Sequence, residues 1–453
     1  MNPRRLHTVV VVNRERGSVL IVALWVCFGL VALVLYFAQS TSAELRAAHN
    51  RAVGAAAESA VEGGARYVQY VLTQSATNGT RPLSTDYEAE ALPIGESIVW
   101  LIGRDPDVVP TQEPVFNLVD EASKLNLNKA TRAMLEALPG MTAELAGAIV
   151  DWRDTDLNPT ENGAEDETYA RLNPPRRAKN APFESVDELR LVYGATLPLL
   201  FGEDNNRNGA LDANEDDGET TAPMDDRNGI LLEGILDFVT VYSSQPETTS
   251  DGMRRVDVKA IAARQRLLAL LASKLSRDRA ETIRDKLPPF QEMQSVAEFM
   301  VRAELTPEEF QKIHADVVSG TTAADRRGLI NVNTATEAVL GCIPGIGVDK
   351  AKTIAAYRLQ NPDSLTSFAW LKAVLTDTEI FRAGPFITDL SYQFSADIAG
   401  IGPRGRGYSR IKYIFDTTQT TPRIVYRQDL SGLGWALGAH VRDSFRQTRF
   451  TSR

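Results

Sequence analysis

The residues from Ser18 to Ala38 form an uncharged and mostly apolar run near the start of the chain. At ~1.5 Å of rise per residue, a helix of this length spans the roughly 30 Å hydrocarbon core of a bilayer. The sequence therefore predicts a transmembrane helix over residues 18–38.

Basic residues precede this apolar run and set its orientation. Arg4, Arg5, Arg14 and Arg16 outweigh Glu15, and positive flanks stay on the cytoplasmic side of a membrane. A secretory signal would end in a small-x-small cleavage site, whereas helix-forming sequence continues beyond this run. We therefore expect most of the chain to lie outside the cytoplasm. A simple signal anchor is one interpretation of this N-terminal segment.

Composition restricts the partners and the chemistry. The 453 residues suffice for two or three domains and carry a net charge of −10. Nucleic-acid binding draws much of its affinity from Lys and Arg, so no nucleic acid is expected as a partner. The four histidines lie in no recognisable metal or nucleophile motif, and we predict that the protein is not an enzyme. Carboxylates alone leave glycosidase chemistry open.

Periodicity outside the apolar run indicates helix first and strands later. Small and apolar residues at three- and four-residue steps predict a long helix over Ala52 to Leu72. Alternating β-branched and aromatic residues predict short strands at both ends of the remaining chain. The predicted strands are 96–103 and 114–119, followed by 392–399, 408–415 and 423–429.

An internal repeat organises the middle of the chain. Leu125–Thr131 reads LNLNKAT, and Ile330–Thr336 reads INVNTAT. Each copy continues through a Pro-Gly turn into a second helix, which carries Arg153 in the first copy and Arg358 in the second. The Asn and Thr side chains can cap the helix that follows them. We predict two related helical hairpins, which resemble helix-hairpin-helix modules but lack the basic turn expected for DNA contact.

The strongest chemical motif lies between the two copies, in the twelve residues from Asp204 to Glu215. Oxygen-bearing side chains alternate along it with the spacing of an EF-hand loop, and hard oxygen ligands suit Ca²⁺ rather than zinc. A solvated Asn/Asp turn is the alternative. The flanking sequence does not indicate the usual helix pair, so a single structural loop is predicted. The candidate metal ligands are Asp204, Asn206, Asn208, Ala210 through its carbonyl, Asp212 and Glu215.

The start of the chain resembles the type IV pilin and type II secretion pseudopilin superfamily. Arg16, Gly17 and Ser18 match a prepilin-type leader junction, at which a prepilin peptidase would cut after Gly17 and leave Ser18 as the new N-terminus. The superfamily usually carries Glu at the fifth mature position, where this chain has Val22. In lacking that Glu, the chain resembles the K-type minor pseudopilins of type II secretion systems.

The K-type resemblance implies a second calcium site in the acidic loop from Asp151 to Glu167. K-type pseudopilins carry a pair of calcium ions in their helical domain, and the matching sequences here are Trp152–Asp156 and Gly163–Asp166. Crowded carboxylates repel one another unless a cation neutralises them, although a charged surface loop is the alternative. The candidate second metal site comprises Asp154, Asp156, Glu165 and Asp166.

The resemblance implies an α+β fold, in which a long N-terminal transmembrane and pilin-like helix joins a small antiparallel sheet. A large all-α insertion with two helix-hairpin-helix-like repeats would interrupt this pilin-like domain. The implied domains are a leader (1–17), a transmembrane helix (18–38), the long helix and first strands (39–119), the helical insertion (120–388) and the C-terminal strands (389–453).

The function implied by the resemblance is that of a minor pseudopilin at the tip of the secretion pseudopilus, initiating or capping its assembly. Its partners would be the I- and J-type minor pseudopilins, with Ca²⁺ as a structural cofactor, an anchor in the inner membrane and the bulk of the chain in the periplasm. Two alternatives stay open. One is a minor pilin of a DNA-uptake or adhesion filament, and the other is a membrane-tethered calcium-binding or hydrolytic periplasmic protein.

Overall fold

The computed structural model describes residues 16–75, 79–108, 110–221, 224–287, 293–419 and 421–451. The predicted leader lies outside these residues except for its last two. The helices within them are α1 Arg16–Ser75, α2 Arg132–Glu136, α3 Ala143–Arg153, α4 Asp166–Ala170, α5 Leu197–Phe201, α6 Ile235–Phe238, α7 Arg264–Lys274, α8 Arg277–Lys286, α9 Val296–Arg302, α10 Pro307–Gln311, α11 Glu337–Gly341, α12 Gly347–Gln360, α13 Asp377–Ala383 and α14 Gly438–Thr451.

The strands are mostly short, and the longest of them follow the helical region in sequence. They are β1 Leu92–Ile94, β2 Ser97–Gly103, β3 Val115–Phe116, β4 Val119–Asp120, β5 Leu125–Asn126, β6 Val239–Thr240, β7 Val256–Asp257, β8 Val317–Val318, β9 Ile330–Asn331, β10 Ile387–Thr388, β11 Gln393–Ile401, β12 Tyr408–Asp416 and β13 Arg423–Asp429.

Helix α1 contains both the apolar run and the predicted long helix, joined without a break over 60 residues. The large apolar side chains between Val19 and Phe37 are 53–76% exposed, whereas Val61 and Val68 are fully buried. Within the described residues, α1 is the one helix that is long and apolar enough to cross a membrane. The chain therefore offers a single candidate membrane span, followed by a packed stem.

A seven-stranded antiparallel sheet packs against the stem of α1. Its main order is β1-β2-β11-β12-β13, with β3 beside β2 and β4 beside β11. Ile398 on the central strand β11 lies opposite Leu101 of β2 and Ile411 of β12. Strands from before and after the helical region therefore share one sheet. The predicted long helix with a small antiparallel sheet is confirmed.

The contact between α1 and the sheet is close enough to require glycine at one point. A Cβ at Gly400 would lie 2.7 Å from the Val61 side chain and 3.0 Å from the carbonyl oxygen of Ala57. Ile398 and Phe415 fill the same interface without exposure. Each such fully buried side chain contributes about 1.5–3 kcal/mol relative to an exposed one.

Residues 121–388, between β4 and β11, form a helical region with its own apolar core. The two sequence repeats form the hairpins α2–α3 and α11–α12, and each first helix is capped by the predicted threonine, Thr131 or Thr336. The helical hairpins are thus present, while their assignment to the helix-hairpin-helix module stays a prediction.

The prediction that this region is all-α is wrong in one respect. It contains three pairs of parallel two-residue strands, β5–β6, β7–β8 and β9–β10. Strands this short give no alternation that a sequence window can detect, and their partners lie far away along the chain.

The middle strand pair shows a third structural copy that the sequence comparison missed. In each copy the polar residue that ends the first strand accepts, through its side chain, the N–H two residues later at 2.9 Å. The N–H of the residue directly after the polar one donates to the carbonyl oxygen of the last residue of the partner strand, at 2.8–3.0 Å. The equivalent polar residues are Asn126, Asp257 and Asn331, so the helical region consists of three related units instead of two halves.

Arg153 and Arg358 perform the same packing role in the first and last units. Each guanidinium donates to two carbonyl oxygens of the loop before its own hairpin, and Arg358, which is 1% exposed, also pairs with Asp107. The middle unit has Arg284 at the same spacing from its first strand, but this side chain is exposed and pairs with Asp285. The acceptors are Leu127 and Ala130 for Arg153, and Val332 and Ala335 for Arg358.

Candidate metal centre

The loop of residues 204–215, hereafter the calcium loop, lies between α5 and α6. Helix α5 is only five residues long and ends at Phe201, and the residues after Glu215 form turns. Long helices therefore do not flank the loop within the described residues. The arrangement is a single loop and not a helix–loop–helix pair.

The first half of the calcium loop is folded by side-chain oxygens that accept backbone N–H groups. Asp204 accepts from Asn208 at 2.9 Å and from Gly209 at 2.8 Å, Asn206 accepts from Asn208 at 3.0 Å, and Asn208 accepts from Ala210 at 2.7 Å. Asp204, Asn206 and Asn208 are 0–8% exposed. A carbonyl or carboxylate oxygen has two acceptor positions, so Oδ1 of each of these residues keeps one for another ligand. Oδ2 of Asp204 has none left, because it accepts from both Gly209 and Arg104.

The second half of the calcium loop closes onto the first through two carboxylates. Glu215 spans the loop, accepting from the N–H of Asn205 at 2.9 Å and of Asp212 at 3.0 Å. Asp212 accepts from the amide groups of Asn206 at 2.6 Å and Asn208 at 3.1 Å. The five predicted side-chain ligands thus belong to one closed loop. The carboxylates of Asp204, Asp212 and Glu215 do not form a group within 4.8 Å of one another, as far as the described residues go.

The calcium loop holds more buried negative charge than the nearby cation can balance. Burial raises the pKa of Asp204 to about 6, although Arg104 lies 3.0 Å away and opposes the rise. Burial likewise raises the pKa of Glu215 to about 7. Burial also raises the pKa of the neighbouring Glu233 to about 7, with a further contribution from Asp237, which shares Arg104 at 3.3 Å. A divalent cation would offset this surplus.

The calcium loop is fastened to the sheet by a buried arginine. Arg410 of β12 has no exposure and forms an ion pair with Asp397 of β11. Its guanidinium also donates to the carbonyl oxygens of Asn206 and, at 2.9 Å, Arg207. The Asn206 amide donates in turn to the carbonyl of Trp435 at 2.9 Å. Sequence reasoning could not find this connection, because β12 is distant from the loop in the chain.

A second acidic group lies at the end of α3. Asp151 is in the last turn of α3, Asp154 follows the helix, and Glu165 precedes α4. One oxygen from each carboxylate lies within 4.8 Å of the others. Asp151 and Glu165 are 0% and 4% exposed, and neither oxygen of Glu165 has a hydrogen-bond partner. This group is the only one of its kind among carboxylate, histidine and cysteine side chains in the described part of the chain.

Electrostatics support a cation in this second group. Burial, followed by repulsion from Asp151 and Asp154, raises the pKa of Glu165 to about 7. The pKa of Asp154 is also raised, chiefly by burial. Two charges 4.8 Å apart repel by on the order of 3 kcal/mol at an effective dielectric constant of 20. The donor set contains only oxygen, which suits Ca²⁺ better than zinc.

A glycine makes room for the second group. A Cβ at Gly163 would lie only 2.0 Å from an oxygen of Asp151. The same Asp151 carboxylate accepts the N–H of Thr160 at 3.1 Å, which holds the 160–165 loop against α3. The loop can therefore approach the helix only with glycine at this position.

The structure brings two of the four predicted ligands of this site into the three-carboxylate group. Asp154 and Glu165 are in the three-carboxylate group, but Asp156 is exposed and accepts the N–H of Asn158. Asp166 accepts the N–H of Ala178 instead. The sequence prediction omits Asp151, which it places at the start of the acidic loop, whereas Asp151 lies in α3. Its spacing of three from Asp154, which places both on one face of a helical turn, was the available signal.

The leader junction gives no geometric information of its own. Gly17 and Ser18 lie in the first turn of α1. Cleavage between them stays a prediction.

One segment of the chain is similar to a known family. Residues 115–200 match the family model for protein K of the type II secretion system. The resemblance to K-type pseudopilins predicted from the sequence is thereby confirmed for this segment. The matched segment includes the carboxylate group of Asp151, Asp154 and Glu165 and ends before the calcium loop.

Two curated relatives carry the name type II secretion system protein K. The type II secretion system protein K of Pectobacterium carotovorum subsp. carotovorum is 45% identical over 56 residues, which cover 12% of this chain and 17% of the relative. That of Klebsiella pneumoniae is 43% identical over 61 residues, covering 14% and 19%. The chain therefore aligns with less than a fifth of the length of these relatives.

One solved structure is similar to this chain over most of its length. It comes from the crystal structure of the GspK-GspI-GspJ complex from the enterotoxigenic Escherichia coli type 2 secretion system. The similarity covers 86% of this chain and 99% of that chain, at 12% sequence identity and a TM-score of 0.37.

Proposed function

We propose that this protein is a minor pseudopilin that initiates or caps the pseudopilus of a type II secretion system. The observation that carries the proposal is α1, whose first part is an exposed apolar helix and whose second part is the packed stem of a sheet domain. Such a helix can be stored in a bilayer and can also pack against other helices in a filament. The similarity of residues 115–200 to protein K of the type II secretion system supports the secretion system as the context.

The proposed location is the inner membrane, with one span and the bulk of the chain in the periplasm. The arginines that precede the apolar run support this orientation, because positive flanks stay cytoplasmic. Prepilin peptidase would then act on the cytoplasmic side, between Gly17 and Ser18.

Val22 supports a position at the tip of the filament. It is 62% exposed on the apolar part of α1. In the pilin superfamily a Glu at this position is thought to meet the N-terminal amine of a neighbouring subunit. A subunit that carries Val here cannot make that contact. It is therefore suited to the tip of the filament, where no subunit lies ahead of it.

The proposed partners are the I- and J-type minor pseudopilins. The solved complex described above contains GspK, GspI and GspJ, and α1 gives this chain a long helix against which such partners could pack. The role is one of assembly, without catalysis by this chain.

Calcium is proposed as a structural cofactor at two places. Asp204, Asn206, Asn208, Asp212 and Glu215, with the Ala210 carbonyl, would hold one ion. Asp151, Asp154 and Glu165 would hold another. A bound Ca²⁺ would supply positive charge and cross-link the oxygen ligands of each loop. The residues themselves keep the loops closed through the hydrogen bonds described above.

The decisive experiment combines N-terminal sequencing of the mature protein with recovery of its neighbours. The full chain is expressed beside the other minor pseudopilins, and we expect an N-terminus at Ser18 and co-purification of the I- and J-type subunits. Gly17→Leu should abolish processing, whereas the matched change Gly29→Leu, at a helix position with open surroundings, should not. An unprocessed wild-type chain that recovers no pseudopilin, or one that recovers DNA, would overturn the proposal.

A further inference from the structure

A polar cavity of about 1230 Å³ lies where the sheet domain meets the helical region. Arg81, Tyr392 and Thr417 line it from the side of α1 and the sheet, while Arg255 and His314 line it from the helical region. Pockets for small ligands usually have ~300–1,000 Å³, so this cavity has room for more than a single small anion.

Arg255 is the unusual residue of this cavity. It is 4% exposed and lies 5.3 Å from the centre of the Tyr392 ring, to whose hydroxyl it also donates. Its remaining contact is a 3.4 Å hydrogen bond to Gln245, and its Nε has no partner. Within the described residues no carboxylate forms an ion pair with it. A buried cation without a counter-ion costs several kcal/mol, so an anion beside Arg255 would be stabilised.

The acidic residues nearest in the wall are already engaged. Asp389 lies 3.0 Å from His314 and also accepts the N–H of Phe368 at 3.0 Å. Asp316 pairs with Lys274 at 3.1 Å. Neither carboxylate is therefore free to neutralise Arg255.

The cavity lining carries four basic side chains, Arg81, Arg255, Lys274 and Lys312, and four aspartates, Asp251, Asp316, Asp363 and Asp389. These charges balance when His314 is neutral and sum to +1 when it is protonated. Of the four basic side chains, Lys274 is paired with Asp316. Lys312 is exposed at the end of α10. The carboxylates of Asp251 and Asp363 would repel a phosphate dianion more strongly than a carboxylate monoanion, which favours a carboxylate as the ligand group.

The neutral lining suits a peptide backbone. Threonine, asparagine and glutamine side chains are frequent in the wall, among them Thr248, Thr366, Thr418, Asn333 and Gln311. These groups can both donate and accept hydrogen bonds, as a peptide chain requires.

We propose that this cavity binds an acidic peptide segment of a partner polypeptide, with a carboxylate of that segment beside Arg255 and Lys312. Arg255 provides a pre-formed buried donor, and Lys312 provides a mobile cation at the rim. The site goes beyond the proposed assembly function and is independent of both metal groups.

The test uses the purified full chain in detergent and fluorescence anisotropy. The probes are a fluorescein-labelled Thr-Glu-Ser-Glu-Thr peptide and its matched Thr-Gln-Ser-Gln-Thr counterpart. We expect the acidic peptide to bind at least tenfold more tightly than the neutral one. Arg255→Gln and Lys312→Gln should each weaken acidic-peptide binding at least fivefold, whereas Lys352→Gln, exposed on α12, should leave it unchanged.

Several outcomes would overturn the proposal. Equal binding of the two peptides would do so, as would unchanged binding in the Lys312→Gln variant, which tests the site even where Arg255→Gln does not fold. Sodium acetate should displace the acidic peptide at lower ionic strength than sodium chloride does. Equal displacement by both salts would indicate only general charge screening, and tighter binding of inorganic phosphate than of acetate would overturn the assignment to a carboxylate.

Discussion

Arg410 of the sheet donates its guanidinium N–H to the carbonyl oxygen of Asn206 inside the calcium loop. The same side chain is held by Asp397 on the adjacent strand. A loop rich in negative charge is therefore attached to the sheet by one buried cation. The position of the loop depends on Arg410, which is 204 residues away from Asn206 in the sequence.

Arg410→Met should destabilise the protein by about 3–5 kcal/mol, because Asp397 would be left as an unpaired buried charge. The measurement is denaturant unfolding of the full chain in detergent. Arg423→Met, an exposed position on the neighbouring strand, is the control and should change stability by less than about 0.5 kcal/mol. Equal effects of the two substitutions would contradict the role assigned to Arg410.

The three arginines at equivalent positions in the helical units predict a graded series. Arg358→Met breaks a buried ion pair with Asp107 and should cost about 3–5 kcal/mol. Arg153→Met leaves two carbonyl groups without their donor and should cost about 1–3 kcal/mol. Arg284→Met removes only an exposed pair and should stay within about 0.5 kcal/mol. An inverted order in unfolding experiments would show that the units do not share this packing.

Calcium titration should show two ions for each chain. Glu215→Gln should remove one and Glu165→Gln the other, since each deletes a charge from one candidate site. Asp156→Asn, whose side chain lies outside the three-carboxylate group, should retain both. Isothermal titration calorimetry measures the stoichiometry. Loss of an ion in Asp156→Asn, with both ions retained in Glu165→Gln, would show that Asp156 and not Glu165 is a ligand of the second site.

Removal of calcium should also lower the thermal midpoint of the wild-type chain. At a free concentration of about 100 times the dissociation constant, a ligand bound only by the folded state stabilises it by about 2.7 kcal/mol. At ~2.1 cal/mol/K of unfolding entropy per residue, that corresponds to a fall of roughly 3 °C on chelation for each ion bound by the 453-residue chain. The Glu165→Gln/Glu215→Gln double variant is the control, and a midpoint that chelation leaves unchanged in the wild type would contradict a structural role for calcium.

Lys412 predicts a pH dependence of stability on the alkaline side. Burial, followed by repulsion from Lys124, lowers the pKa of Lys412 to about 8 from 10.5. The unfolded chain therefore binds more protons between these values, and the contribution of Lys412 to stability rises with pH across that window. Below about pH 8 the charged form carries its full penalty, so Lys412→Met should stabilise the protein at pH 7 by about 1–2 kcal/mol after solvent screening.

The check on Lys412 is the difference in unfolding free energy between variant and wild type, measured at pH 7 and pH 10. The advantage of the Lys412→Met variant should shrink at the higher pH. Lys352→Met, at an exposed position, serves as the control. A difference that does not vary with pH would contradict the assignment.

The fold was predictable where its signals are local. The apolar run of α1 and the alternation in β2, β11 and β12 are readable in single stretches of sequence. The first and third helical units were found because Asn126 and Asn331 lie in nearly identical heptapeptides. The middle unit escaped because Asp257 replaces the asparagine and the surrounding residue types differ, although the hydrogen bonds are the same.

The candidate sites were predictable to a different degree. The spacing from Asp204 to Glu215 predicts a candidate calcium loop without any structure, since every position of the motif lies within one short segment. The second group depends on how the end of α3 meets the 160–165 loop. The spacing of Asp151 from Asp154 is readable in the sequence, but no local signal there excludes Asp156 and Asp166. Arg410 and Arg104 act across the fold and carry no motif.

The unbroken course of α1 has a mechanical consequence. Because one continuous helix joins the candidate membrane span to the sheet, a movement of that span would reach the sheet without a hinge. From the middle of the apolar run to the sheet contact is roughly 50 Å at ~1.5 Å per residue, so a tilt of about 10° within the bilayer would sweep the whole head through roughly 10 Å. The sheet and the helical region could thus reach different positions of a neighbouring subunit while the candidate membrane span stays in lipid.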